Sequence, residues 1–306
     1  MTRADKKILV VRGGALGDFI LTLPVFAALR GRFPGRGMEI LGHESTGALA
    51  VAAGLADRVS ALESPALSAF FTRGGDLPAQ AAEYFVGFER IVSYLFDPEG
   101  IFQSNVARCS AARFLACPHR PDEGANLHAT EALLRPLGAL GIHAADPRPR
   151  LVLPGPIAAG AEQRLAAHPG SGSERKNWPE AKWAELLRRL AAETEWRFLL
   201  IGGEAEGERC RRLAAALPAG RAQLAQSLPL VELARHIRGC AGYVGHDSGV
   251  THLAAALDLP GVVLWGPSNQ TVWHPMSDRM RLLRNEQGLA ALAVERVFDE
   301  LVNPRQ

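Results

Sequence analysis

The stretch Val10–Pro24, VVRGGALGDFILTLP, joins an apolar strand to a helix through a glycine-rich turn. That order of run, turn and helical spacing is the signature of a βα unit, and it repeats along the chain. A turn of this kind usually cradles a phosphate on the free amides of the helix start. Here it delivers a carboxylate, Asp18, to the same place. The glycines stand at 13, 14 and 17, which is not the G-x-G-x-x-G spacing, and no Gly-Lys-Ser/Thr follows as in a Walker loop. Locally, Asp18 is either a plain N-cap worth about 1 kcal/mol or a functional acid. An anion in that position repels phosphate in both cases, so a nucleotide is expected elsewhere in the chain.

Working outward, strand-like runs alternate with helical segments from end to end. KILVV, MEILG and RIVSYLF read as strands of the first half. DFILTLPVFAALRGRF reads as its first helix, with Pro24 a point of kinking. The Pro- and Gly-rich stretch Asp146–Gly160 reads as a linker. Beyond it come strands RLAAH, WRFLLIGG, AQLAQ, GYVGHD, GVVLWG and RMRLLR, and a last helix from about Gln287 to Val302. An α/β chain of 306 residues is too long for one ordinary core, and two domains of about 150 residues are expected. The boundaries read as 1–150 and 161–286, with the C-terminal helix, about 287–303, completing the first domain.

The net charge of +2 argues against a nucleic-acid binder. Arg30, Arg32 and Arg36 form a small basic cluster, read as a solvated helix end or as a contact with an acidic lipid surface. The N-terminus lacks the apolar core of a secretory signal, and no uncharged run approaches the ~18 residues of a membrane span. Four cysteines without framework spacing fit a reducing, cytoplasmic setting. Cys109, Cys117, His119 and His128 match no metal-site spacing.

Because ligands of parallel sheets bind beyond the carboxyl ends of the strands, the loops after strands are the places to search. HPGSGSERKNWP follows a strand and offers small residues, amides and hydroxyls together with Arg175 and Lys176, which suits a phosphate. Trp178 and Trp183 read as packing residues. In GHDSGVTHLAAAL, Asp247 or Ser248 caps a helix, Gly249 permits close approach, and His252 lies one turn after Ser248 on the same face. A Ser-His-Asp hydrolase is the rival reading of that block, but there is no G-x-S-x-G elbow. Glu204, after LLIGG, stands where a carboxylate can accept from ribose hydroxyls.

Together, ILVVRGGALGDFILTLPVFAALRGRFP, HPGSGSERKNWPEAKWAEL and GHDSGVTHLAAALDLPGVVLWGPSN resemble the ADP-heptose:lipopolysaccharide heptosyltransferases, glycosyltransferase family 9. The resemblance implies a GT-B fold, two Rossmann-like βα domains facing across a cleft, with the acceptor on the first and the nucleotide sugar on the second. It implies an inverting transfer that requires no metal and no cofactor beyond the donor. The acceptor would be a lipopolysaccharide-core or other lipid-linked glycan, met at the cytoplasmic face of the inner membrane. On this resemblance Asp18 is the general base, with Gly13 and Gly14 on the acceptor side. Ser171, Gly172 and Lys176 hold the donor's phosphates, Glu204 its ribose, and Leu228 its adenine. Asp247, Ser248, Gly249 and His252 surround its pyrophosphate and sugar. Between Gly42 and Leu127 no block matches. A GT-B-shaped binder of nucleotide sugars without activity, or a transferase with another donor and acceptor, are the alternatives.

Overall fold

A computed structural model describes residues 7–157, 160, 163–204 and 206–303. The first residues of both expected domains, 1 and 161, lie outside the described residues, as do parts of the linker. The chain divides into two units, Met1–Leu151 and Val152–Gln306.

The first unit runs β1 Lys7–Arg12, α1 Leu16–Ile20, α2 Leu23–Arg32, β2 Met38–Gly42, α3 Glu44–Ala52, β3 Arg58–Ala61, α4 Ala79–Val86, β4 Phe88–Ser93, α5 Ile101–Cys109, β5 Arg113–Ala116 and α6 Ala129–Leu134. Its five strands are parallel in the order β3-β2-β1-β4-β5. The central strand is buried from Ile8 to Arg12, as expected for a parallel strand covered on both faces. The expected first helix is two helices. Pro24 has no amide to continue the ladder, and the turn tightens so that Thr22 N–H bonds to Phe19 O at 2.9 Å. In the arginine cluster, Arg30 pairs with Asp57 at 2.6 Å and Arg36 with Glu89 at 3.4 Å, which suits the helix-end reading.

The second unit runs β6 Arg164–His168, α7 Glu180–Glu193, β7 Arg197–Gly202, α8 Gly207–Ala215, β8 Ala222–Gln226, α9 Leu230–Arg238, β9 Gly242–His246, α10 Gly249–Ala256, β10 Gly261–Leu264, α11 Gln270–Trp273, β11 Met280–Leu283 and α12 Val294–Val302. The sheet is again parallel, in the order β11-β10-β9-β6-β7-β8. Counted within the unit this is the 3-2-1-4-5-6 order of dinucleotide-binding folds. In both sheets the strand order therefore reverses beside the first strand, between β1 and β4 and between β6 and β9. Those two points are where ligands of such sheets bind.

One expectation is corrected here. The C-terminal helix does not complete the first unit: α12 packs on α7 and β10 of the second. Val294, Val297, Phe298 and Leu301 form its apolar stripe, at the i, i+3, i+4, i+7 spacing of an amphipathic helix. They join the same core as Trp183, Leu187 and Leu190, and the Arg189 guanidinium lies 3.8 Å from the centre of the Phe298 ring. Trp178 and Trp183 are buried in that core, edge to face at 5.7 Å, so both are packing residues.

Candidate active site

The first unit's switch point is built by the turn after β1. Gly14 takes a left-handed φ of +94°, and a Cβ there would lie 3.0 Å from the Asp18 Oδ2. Only glycine fits both the backbone and the space. Ala15, which has no side-chain acceptor, is the N-cap of α1, and Asp18 is its third residue. The N-cap reading of Asp18 is thus corrected. Its carboxylate reaches back to accept the Ala15 N–H at 3.2 Å, half of a capping box, and a quarter of the side chain is open to solvent.

Arg12, at the end of β1, is buried and fixes this turn. Its guanidinium donates to Asp18 O at 3.0 Å and to His119 O at 2.7 Å, and stands 4.0 Å from Asp18 Oδ1. Thr22 Oγ1 adds a bond to Asp18 O at 2.8 Å. Burial lowers the Arg12 pKa and the Asp18 carboxylate opposes that shift. The result is an acid whose backbone is tied down, with one carboxylate oxygen on the Ala15 amide and the other toward Arg12, a quarter exposed beside a glycine turn with no side chains to obstruct a ligand. Gly13 is half-buried and Gly14 exposed.

In the second unit three strand ends converge. After β6 comes the loop Pro169–Pro179, after β9 the residues Asp247 and Ser248, and after β10 the turn Gly266–Asn269. Lys176 Nζ donates to Asp247 Oδ2 at 2.6 Å, and Ser268 Oγ donates to the same oxygen at 2.5 Å. Asp247 is 7% exposed and Lys176 a third exposed, so the ammonium sits at the mouth with the carboxylate behind it. Ser248 is the N-cap of α10; its Oγ accepts the Thr251 N–H at 3.4 Å and lies 3.2 Å from His168 Nδ1. Ser171 Oγ lies 2.7 Å from Asn177 Oδ1, closing the loop across its base. Gly172 is exposed with a φ of +61°. Gly249 opens α10 and His252 is buried along it.

The structure thus places Ser171, Gly172, Lys176, Asp247, Ser248, Gly249 and His252 beyond the carboxyl ends of the central strands β6 and β9 of the second sheet. Glu204 and Leu228 lie beyond the carboxyl ends of the same sheet too, after β7 and β8, one and two strands from β6. Glu204 is exposed. Glu206 folds back instead, accepting the Gly203 N–H at 3.0 Å and lying so close over Gly170 that a Cβ there would be 2.2 Å from its Cγ. The hydrolase reading of the block loses its acid, because Asp247 is engaged by Lys176 and Ser268. Among the described residues no three His, Cys, Asp or Glu side chains cluster as a metal ion would need.

A sequence model described as glycosyltransferase family 9 (heptosyltransferase) matches residues 148–300, half of the chain. The chain belongs to glycosyltransferase family 9. Among curated relatives, lipopolysaccharide heptosyltransferase 1 of Pseudomonas aeruginosa is 44% identical over 95 residues, 31% of this chain and 26% of that protein. The matched segment thus spans about a quarter of that relative's length. Among solved structures, the chain resembles E. coli ADP-heptose lipopolysaccharide heptosyltransferase II, with a TM-score of 0.78 at 19% identity over 96% of this chain and 97% of that one. It resembles an E. coli heptosyltransferase with ADP-2-deoxy-2-fluoro heptose, with a TM-score of 0.74 at 20% identity over 96% and 98%. These likenesses show the fold, which is GT-B.

Several residues of this candidate site have no sequence signal that singles them out. Arg12 reads as the polar end of a strand, and Ser268 as part of a turn. His168 and His246 read as strand-end residues. Both are buried and neutral: burial pulls His168 down to about 4 and His246 to about 3. Arg209 donates to Pro169 O at 3.1 Å and to Glu174 at 3.2 Å, bracing the loop from α8.

Proposed function

We propose that this chain is an inverting glycosyltransferase that moves heptose from ADP-heptose onto a lipopolysaccharide-core or other lipid-linked glycan. The observation that carries the reading is the Lys176–Asp247 pair at the start of α10, an anion seat at the switch point of a family 9 sheet. A diphosphate there meets the Lys176 ammonium, the hydroxyl and amides of Ser171 and Gly172, and the free amides at Gly249. Asp247 holds the lysine in place, and Ser248 and His252 complete the wall around pyrophosphate and sugar. Glu204 is assigned to the ribose hydroxyls and Leu228 to the adenine.

The first unit supplies the other half of the reaction. Asp18 takes the proton of an acceptor hydroxyl as that oxygen attacks the anomeric carbon. The bond from that carbon to the diphosphate oxygen breaks, and ADP leaves against Lys176 and the loop amides. The configuration inverts because attack and departure occur on opposite faces. No metal ion is assigned a step. A lipid-linked acceptor would bring the first unit to the cytoplasmic face of the inner membrane; among the described residues no helix is long and apolar enough to cross it.

Calorimetry with ADP tests the donor half. Micromolar to millimolar binding is expected, and no binding of ADP or any other nucleoside diphosphate would remove the reading. ADP binding without turnover on any glycan acceptor would leave a nucleotide-sugar binder in its place.

A further inference from the structure

His246, buried at the end of β9, bonds to both ends of the loop that follows β6. Its Nε2 accepts the Trp178 N–H at 2.8 Å, and its Nδ1 lies 3.2 Å from Gly170 O. An imidazole accepts on one nitrogen and donates on the other only when neutral, so the Trp178 amide dictates a proton on Nδ1. Burial enforces the same state; His168 and Arg209 nearby also oppose a second proton, while Asp247 and the Gly170 carbonyl favour one. The ring packs in turn against Trp183 in a T-shaped pair, with ring centres 5.4 Å apart.

Gly170 and Trp178 bracket the segment from Ser171 to Asn177. The next residue in the chain, Asp247, grips Lys176 from the same strand end. The last residue of β9 and the one after it therefore clamp one loop, the imidazole at its two ends and the carboxylate at its lysine. We propose that His246 is a positioning residue that pre-forms the diphosphate loop, setting Ser171, Gly172 and Lys176 in place before the donor arrives. A loop ordered in advance does not lose that entropy on binding, so the clamp appears as donor affinity. The ligand half of this inference rests on the donor site proposed above; the clamp itself does not.

The test compares His246→Phe, which keeps a ring against Trp183 and removes both bonds, with His246→Gln, which retains one donor and one acceptor. In the Phe variant, ADP affinity should fall about tenfold or more, the scale of two lost hydrogen bonds. Hydrogen exchange at the Trp178 amide should quicken by a similar factor while amides in the middle of α7 and α12 keep their rates. The Gln variant should restore both readouts in large part, a rescue that a purely space-filling role would not give. A Phe variant with unchanged ADP affinity and a still-protected Trp178 amide would overturn the inference. Should the Phe variant not fold, the Gln variant decides: a protected Trp178 amide with near-normal ADP affinity supports the clamp, and normal ADP affinity with an unprotected amide overturns it. If the unaltered protein binds no nucleoside diphosphate, the donor reading fails and the ligand half falls with it. The exchange rates at Trp178 then still support or overturn the clamp.

Discussion

The loops after β1 and after β6 occupy the same place in their two sheets and carry opposite charge. Each leaves the first strand of a Rossmann-ordered sheet at its switch point. The first is a short glycine turn into a five-residue helix, with Asp18 as the third helical residue. The second is a long loop, Lys176 of which pairs with Asp247 at the start of α10. In the first, an arginine is buried beneath a partly exposed acid; in the second, an acid is buried beneath a partly exposed lysine. The fold supplies two equivalent positions, and in the proposed function the sign of one side chain gives acceptor chemistry to one and phosphate to the other.

The largest effect that could break this contrast lies at Asp18. Asp18→Ala should lower turnover about 10²- to 10⁴-fold, the usual contribution of a general base, in an assay with ADP-heptose and a lipid-linked glycan. A loss of only a few-fold would make Asp18 a capping residue and leave the first loop without chemistry. Next comes the turn that presents it. Gly14→Ala places a Cβ against Asp18 at a left-handed φ, and should cost about 1–3 kcal/mol in a urea titration. An equal loss of turnover per folded molecule would show that the turn also aims the carboxylate.

Acid sharpens the contrast from the other side, because the second loop is anchored on neutral histidines. The folded chain holds His168 and His246 near 4 and 3, below the ordinary 6.5. As pH falls below about 6.5 the unfolded chain takes up protons that these two groups refuse when folded. Their stabilisation is therefore complete above about pH 6.5 and is lost as pH drops toward 4 for His168 and 3 for His246, at up to about 1.4 kcal/mol per pH unit for each histidine. Urea unfolding at pH 7 and pH 5 checks the direction, and His168→Gln should reduce the difference. The smallest expected effect is at Ser268. Ser268→Ala removes one of two hydrogen bonds to Asp247, and should weaken ADP binding by about 0.5–1.5 kcal/mol while leaving the Lys176 pair in place.

Much of the second unit was legible in the sequence, because strands such as RFLLIG and GVVL are nearly unbroken apolar runs and its loops carry distinctive polar residues. AQLAQ and the helix EAKWAELLRRLAAE occur at the residues read for them. The first unit was less legible. β3 and β5 are four-residue edge strands with no fully buried residue, so neither shows an apolar run or an alternation to read. The split between α1 and α2 was signalled only by Pro24. The fate of the C-terminal helix depended on which core its stripe of Val294, Val297 and Phe298 would meet, which periodicity alone does not say. In the site, residue types and loop positions pointed to Asp18, Lys176 and Asp247. Of the supports behind them, His246 and Ser268 act through contacts with segments far apart in the chain, and Arg12 is tied both to Asp18 six residues on and to distant His119, contacts that no local pattern marks.

The central claim is that the two loops divide the charge of one reaction, and parallel titrations of Asp18→Ala and Lys176→Ala with ADP test it most directly. Lys176→Ala should weaken ADP binding by about tenfold or more, since it removes a cation from the diphosphate and leaves Asp247 buried without its partner. Asp18→Ala should bind ADP as the unaltered protein does. A loss of ADP binding in Asp18→Ala, or undiminished binding in Lys176→Ala, would contradict the account.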